Sequence, residues 1–373
     1  MDRDSLIIFF FNLDMRHKEI LTSIALYGFI LSQRHLIRIL GEYRLCRRQF
    51  SDLQEVIDFI SEQLRGPGRH HGYRWMYRKC LGHRLKVRKE DVRLILSELD
   101  PVRSRMRQRQ RLKRRQYFSE GPNFIWHMDS YDKLKPYGIC INGCIDGFSR
   151  KIMWLKAAQI STNPHVIGGY FVEAMEEVRG GPRIVRTDQG TENVVVRDIQ
   201  VFIRRDGLDS RAAERSHIGG ASTANQRIES WWGVMRKEGI EYWIQLLGEL
   251  KDQGFLGGDF LDKALSQFCF MNIIQELNEI QNIWNTHRIR PSRNPTVPSG
   301  IPNIMFSAPH LWGADDHIVH FNAIDLATAK QTCKFLTTIP CDEDIFDLCT
   351  ITMEESGLRF PNNTSEHWIS TCH

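Results

Sequence analysis

Phe124-Ile125-Trp126-His127-Met128-Asp129 is an apolar run, interrupted once by a histidine, that stops on a carboxylate. Its aromatic and β-branched residues read as a strand, and the chain on both sides can be read outward from it. Residues 137–144 give a second strand, Asp146-Gly147 a turn, and 151–157 a third, so three strands meander. A helical period then covers 164–178 and breaks at Gly180-Gly181-Pro182, ahead of a short strand over 183–187. Two more helices are expected at 194–205 and 223–238.

Three meandering strands followed by alternating helix and strand is the order of an RNase H-like fold, an α/β domain whose mixed sheet is flanked by helices. Function in such sheets sits at strand ends. The region before it reads as all-α. An apolar-periodic stretch runs from Ile20 to Tyr27, Gly28 breaks it, and Ser32 caps a second helix through Leu36, Ile39 and Leu40. Arg44-Leu45-Cys46-Arg47-Arg48 follows, then an amphipathic stretch over 53–64. Two helices around a glycine turn, with arginines clustered after them, outline a helix-turn-helix. A similar unit runs from Gly72-Tyr73-Arg74-Trp75-Met76 to Leu99. The expected organisation is therefore a helix-turn-helix-like DNA-binding region at 1–100 and a basic linker at 101–120. The α/β domain with a helical extension would occupy 121–312, and an acidic segment 313–373.

Charge supports that division. Residues 1–120 hold 26 Lys/Arg against 14 Asp/Glu, whereas the other 253 of the 373 residues hold 24 against 31. A basic front joined to a mildly acidic back points to a polyanion-binding module beside a separate functional domain. Arg103, Arg105, Arg107, Arg109, Arg111, Lys113, Arg114 and Arg115 form a run without an acidic residue. Such a run is either a solvated linker, a nuclear-targeting signal or an arm that tracks phosphates, and the first two are compatible with the third. The nine cysteines are scattered, odd in number and without a CxxC pair, which fits a reducing compartment rather than a disulfide framework. Leu6–Phe11 is too short to span a bilayer and lacks the flanks of a signal peptide, so no membrane partner is expected.

Three acidic residues stand out by context. Asp129 closes the first strand, Asp188 closes the fourth in Ile184-Val185-Arg186-Thr187-Asp188-Gln189-Gly190, and Glu229 lies on the helix Asn225-Gln226-Arg227-Ile228-Glu229-Ser230-Trp231-Trp232-Gly233. A lone Asp after a strand is ordinarily a cap or turn residue, which is the reading given to Asp146. In the meander topology, however, the first and fourth strands are neighbours, and a helix across their edge can present a Glu. Converging carboxylates repel unless a cation neutralises them. Oxygen-only ligands favour Mg²⁺ or Mn²⁺ over zinc. Two such ions roughly 4 Å apart stabilise both the attacking and leaving oxygens of an in-line phosphoryl displacement.

Trp126-His127-Met128-Asp129, Ile145-Asp146-Gly147-Phe148-Ser149-Arg150, Arg186-Thr187-Asp188-Gln189-Gly190-Thr191-Glu192-Asn193 and Asn225-Gln226-Arg227-Ile228-Glu229 together resemble the integrase core domain of retroviral-type integrases and insertion-sequence transposases. The resemblance is closest to the integrase core proteins of transposable elements in animal and fungal genomes, and it covers about residues 65–312. Its landmarks include Gly72-Tyr73-Arg74 and Leu99-Asp100-Pro101 upstream, with Trp284-Asn285-Thr286-His287 and Leu311-Trp312 downstream. It implies that Asp129, Asp188 and Glu229 are catalytic metal ligands for DNA cleavage and strand transfer. The 40 residues between Asp188 and Glu229 exceed the usual retroviral interval. Ser130 and Ala224 stand where relatives often have Gly and His. The retroviral His-His-Cys-Cys zinc module is missing, and His70, His71, Cys80 and His83 are read as helix surface.

Auxiliary roles are expected for Gln226 and Asn225, three and four residues before Glu229 on its helix face, and for Glu192 beside the Asp188 turn. Arg236 falls on the same face and is a candidate phosphate contact. Trp243, Trp284 and Trp312 are read as structural. The leading expectation is a nuclear mobile-element integrase that acts as a homo-oligomer on DNA ends. Its rivals are a catalytically inactive DNA-binding descendant and a nuclease that only hydrolyses. Serine or tyrosine recombinase chemistry lacks an activated nucleophile context.

Overall fold

The computed structural model describes residues 2–13, 15–45, 50–101, 117–159, 163–221, 224–256, 270–291, 297–336, 343–355 and 357. Arg47, Arg48 and the whole basic run from Arg103 to Arg115 lie outside the described residues.

The chain opens with helices α1 (Arg3–Asn12), α2 (His17–Ala25) and α3 (Gln33–Glu42). The first was not expected: its apolar residues surround the helix instead of forming a stripe, so no 3.6-residue period marks it. Gly28 turns the chain between α2 and α3 with φ +83°, and Ser32 Oγ accepts from the His35 amide at 3.2 Å to cap α3. Leu6, Ile7, Ile20, Ile24, Leu36 and Ile39 bury their side chains together and share that core with Ile301 and Ile304 far along the chain. Glu19 and Arg288 tie the same two regions through two hydrogen bonds of 2.9 and 3.0 Å.

Helices α4 (Leu53–Gln63), α5 (Tyr73–Gly82) and α6 (Lys89–Leu99) form a second unit around Val56, Ile60, Met76, Val92 and Leu96. Cys80 belongs to this core and His71 is fully buried, so neither is the helix surface residue expected from the sequence. His71 Nε2 donates to the backbone oxygen of Glu238, and the unit docks on the rest of the protein through this contact. Burial of both follows from packing against neighbouring elements, which helical spacing within one segment does not register.

The central domain is a sheet of β1 (Ile125–Tyr131), β2 (Cys140–Asp146), β3 (Ile152–Ala158), β4 (Ile184–Asp188) and β5 (His217–Gly220) in the order β3-β2-β1-β4-β5. β1, β2 and β3 pair antiparallel, whereas β4 and β5 run parallel to β1. This is the mixed, helix-flanked sheet that the meander implied. β5 escaped the sequence reading because His217-Ile218-Gly219-Gly220 has two glycines and no alternation. β2 starts at Cys140, later than expected, because Lys135–Tyr137 is a 3₁₀ turn that Gly138 closes at φ +75°.

Side chains alternate across β1 with the period of two. Trp126 and Met128 face α7 (Pro164–Val178) and α8 (Val194–Ile203), burying against Phe171, Met175, Val196 and Ile199. Tyr131 packs on the opposite face with residues of α9 (Gln226–Met235), α10 (Glu241–Asp252) and α11 (Phe270–Thr286), including Trp231, Trp232, Trp243 and Ile280. A π turn, Arg236–Ile240, joins α9 to α10. Helices α12 (Pro302–Ser307), α13 (Ala323–Gln331) and α14 (Glu343–Glu355) are the last among the described residues. Trp243 and Trp284 pack in the α9 layer and Trp312 beside the α1–α3 core, all three in structural positions. Among the described residues no helix is long and apolar enough to cross a membrane.

Candidate active site

β1 and β4 pair with a constant offset that sets His127 beside Arg186. The pairing ends there, and continuing the same offset by two residues along both strands brings Asp129 level with Asp188, the last residue of β4. Asp188 lies near enough for its charge to act on Asp129, so the sheet draws together two carboxylates that lie far apart in sequence. α9 crosses β1 and β2 and carries Glu229 on its first full turn, with the Glu229 amide donating to the Asn225 carbonyl at 3.2 Å. Glu229 is exposed, while Ile228, Trp231 and Trp232 on the other side of the helix are buried.

The close approach of α9 depends on a glycine. Gly143 pairs with Asp129 across β1 and β2, and a Cβ there would meet Trp232 Cη2 at 2.7 Å. The indole uses this space to reach over the sheet, where its Nε1 donates to Asp129 Oδ2 at 2.9 Å. Asp188 is held from the following turn, as Asn193 Nδ2 donates to its Oδ1 at 2.6 Å. Neither Trp232 nor Asn193 was singled out from sequence, although both lie within the motifs quoted above.

Burial pushes the Asp129 carboxyl up to about 7, the Trp232 donor opposes this, and the negative charges of Asp188 and Glu229 add to it. Glu229, although largely exposed, is raised by partial desolvation of its carboxyl and then by the Asp188 charge. The three expected carboxylates therefore share one electrostatic neighbourhood, with repulsion as its dominant mutual interaction. As they stand they do not close into a cage: among the described residues no three His, Cys, Asp or Glu side chains are grouped to hold a metal ion. The donor set nevertheless fits a hard divalent cation. It offers carboxylate oxygens alone, and Trp232 and Asn193 each occupy one site of an acceptor that has about four.

The expected auxiliary residues fall in different places. Asn225 is buried, and its side chain turns toward the sheet: Oδ1 lies 2.8 Å from His127 Nδ1 and Nδ2 donates to the Met128 carbonyl at 2.8 Å. His127 Nε2 in turn lies 2.7 Å from the Tyr117 hydroxyl. With the Asn225 amide donating to a carbonyl, the histidine is left to donate from Nδ1 and accept at Nε2. Burial holds its pKa down at about 3, so it stays neutral. Arg227 lies over the Tyr117 ring at 3.9 Å from its centre and donates to the Gly147 carbonyl at 2.9 Å. Gln226 is partly buried at the start of α9. Glu192 folds back on Gly190, its carboxylate standing where a Cβ at that position would be. Arg236 is half exposed and ion-paired with Glu241, a partner the sequence did not suggest. Asp146, expected in the turn, is instead the last residue of β2, and its buried carboxylate caps the turn that follows by accepting from the amides of Asn123, Phe148 and Ser149 at 2.8, 3.2 and 2.7 Å.

No curated protein matches the chain. The profile of the integrase core domain matches residues 116–306, just over half of the chain. That interval begins beside Tyr117, spans all five strands and α9, and includes Asp129, Asp188 and Glu229. With its β3-β2-β1-β4-β5 sheet and this match, the chain belongs to the integrase core domain family.

Proposed function

We propose that this protein is a DNA integrase or transposase that cleaves and joins DNA strands at Asp129, Asp188 and Glu229. The observation that supports the reading is the parallel pairing of β1 with β4 under the helix that bears Glu229, with the Asp188 charge acting on both Asp129 and Glu229. The carboxylates would hold one or two Mg²⁺ or Mn²⁺ ions, which supply charge neutralisation at the reacting phosphate and acidify an attacking water or hydroxyl. The chain's own contribution is to aim the oxygens. Trp232 fixes the rotation of Asp129, Asn193 fixes that of Asp188, and burial around Asp129 strengthens each electrostatic interaction made there.

DNA is the proposed partner, through the helical units of 1–100 and the basic run 103–115, with Glu192, Gln226 and Arg236 beside the site. Action on two DNA ends calls for a homo-oligomer, and a DNA substrate calls for nuclear residence in a cell with a nucleus. A mobile element is the proposed origin of the chain.

The test uses labelled duplexes taken from the DNA flanking the coding sequence, with Mg²⁺ or Mn²⁺, comparing wild type with Asp188→Asn. Strand cutting or joining by wild type alone, with both proteins still binding DNA, supports the reading. Equal binding with no reaction from either protein, across the whole panel of ends, would replace it with a DNA-binding module descended from such an enzyme.

A further inference from the structure

Asp129 and Glu229 belong to separate elements, a strand and a helix, yet one residue touches the backbone beside each. The Asn225 carbonyl receives the Glu229 amide at 3.2 Å, one helical turn away. Its side chain grips β1 at consecutive residues, meeting the His127 ring and the Met128 carbonyl, both at 2.8 Å. Met128 directly precedes Asp129. From β4, Arg186 Nη1 donates to the Ala224 carbonyl at 3.1 Å, which steadies the chain just before Asn225.

The contacts continue away from the carboxylates. His127 is 1% exposed, and it passes the connection to the Tyr117 hydroxyl at 2.7 Å. Tyr117 follows the basic run 103–115 by two residues. Its ring lies under Arg227, a residue of α9 itself, which also reaches the Gly147 carbonyl after β2. Every donor in this chain meets an acceptor: Tyr117 O–H to His127 Nε2, His127 Nδ1–H to Asn225 Oδ1, and Asn225 Nδ2–H to Met128 O. A buried network satisfied at each link holds its members in one arrangement, because any displacement leaves a polar group unpaired.

We propose that Tyr117, His127 and Asn225 are positioning residues that set the spacing of Asp129 against Glu229 and tie it to the segment leaving the basic run. This inference rests on the metal-dependent reading of the three carboxylates. The relay makes no contact with substrate; it acts on the backbone beneath the two side chains. Spacing of this kind governs how well oxygen ligands meet a cation, and outer partners of metal ligands commonly alter affinity about 10- to 100-fold.

The experiment measures Mn²⁺ uptake by the full chain without DNA, following free Mn²⁺ by electron paramagnetic resonance, with thermal melting recorded for each variant. Asn225→Ala should raise the half-saturating Mn²⁺ concentration at least about 10-fold. Tyr117→Phe, which removes one hydroxyl and keeps the ring under Arg227, should raise it about threefold. If Asn225→Ala does not fold, Tyr117→Phe carries the test. Uptake that Asp188→Asn abolishes, combined with unmoved midpoints in folded relay variants, overturns the relay and leaves the functional reading intact. Lower melting temperatures alone, with midpoints unchanged, overturn the relay in the same way, since they mark a purely structural role. Wild type that takes up no Asp188-dependent Mn²⁺ overturns the functional reading and the relay with it.

Discussion

Trp232 reaches Asp129 only because residue 143 has no side chain. The indole Nε1 donates to Oδ2 at 2.9 Å, and the ring edge that makes this possible passes 2.7 Å from where a Cβ of Gly143 would stand. Gly143 is itself the cross-strand neighbour of Asp129. A glycine in the middle of a strand ordinarily weakens it, so its presence here has a packing reason. The candidate carboxylate, its donor and the gap that admits the donor form one unit.

Gly143→Ala should therefore disturb more than it adds. The new methyl would press on Trp232 Cη2 and, at 3.2 Å, on Leu155 Cδ1, with both side chains buried. Overpacking of this kind costs about 1–3 kcal/mol. Urea denaturation should show that loss, together with a change in indole fluorescence. A variant as stable as wild type, with an unaltered spectrum, would mean that α9 stands further from the sheet than this contact requires.

The Asp129 carboxyl gives a pH signature. Its pKa is pushed up to about 7 in the folded protein, first by burial, whereas it titrates near the ordinary carboxylate value when unfolded. Above the unfolded value the folded state holds the extra proton, so this group's contribution to stability falls as pH rises toward and through 7. Metal-free wild type measured against Asp129→Asn should lose about 1 kcal/mol between pH 6 and pH 8. Taking the difference removes other groups, among them buried His127 and His287, whose depressed pKa values act in the opposite direction. Saturating Mg²⁺ should abolish the loss, because cation binding favours the ionised carboxylate. A difference that is flat with pH would contradict the buried, mutually repelling arrangement.

A second charged cluster holds the α4–α6 unit against the core. Lys79 Nζ is buried 3.0 Å from Glu279, and burial raises the carboxyl of fully buried Glu276, opposed by the Lys79 charge and helped by that of Glu279. Lys79→Met would leave the acidic pair without its cation, a change that costs about 3 kcal/mol or more when a buried pair is broken. Lys79→Met combined with Glu276→Gln should recover part of that loss. Denaturation midpoints of both single variants and the double decide the matter: additive destabilisation would show that the lysine and Glu276 do not interact.

The legible and illegible parts of the molecule differ in physical kind. β1 was readable from its apolar start up to Asp129 and β4 as a short β-branched stretch closing on Asp188 after a Gly-Gly-Pro break, and the meander order makes them neighbours. The placing of Glu229 followed from a helix with buried Ile228, Trp231 and Trp232 on one side. Sequence spacing could not tell which of two adjacent tryptophans reaches Asp129, since that depends on the crossing of α9 over β2. Nor could it pair Tyr117 with His127, because their hydrogen bond depends on how the chain approaches the sheet. Asn225 was expected to share the face of Glu229, yet it lies just before the helix proper, where its side chain is free to turn into the sheet. His71 and Cys80 look polar or reactive in sequence and are buried by partners that no local pattern announces.

The basic run and Arg236 should separate in a salt titration of DNA binding. Arg103, Arg105, Arg107 and Arg109 belong to a stretch of eight basic residues with no acidic neighbour, whereas Arg236 already has Glu241 as its partner. Each phosphate contact contributes about 0.9 to the slope of log K against log salt. Alanine at all four arm positions should flatten the slope by about 2–4, while Arg236→Ala should change it by less than about 1. Duplex binding measured by fluorescence anisotropy at several salt concentrations gives both slopes. An unchanged slope in the fourfold variant would make the run a solvated linker, and a large change in Arg236→Ala would mean that DNA displaces Glu241 from its guanidinium.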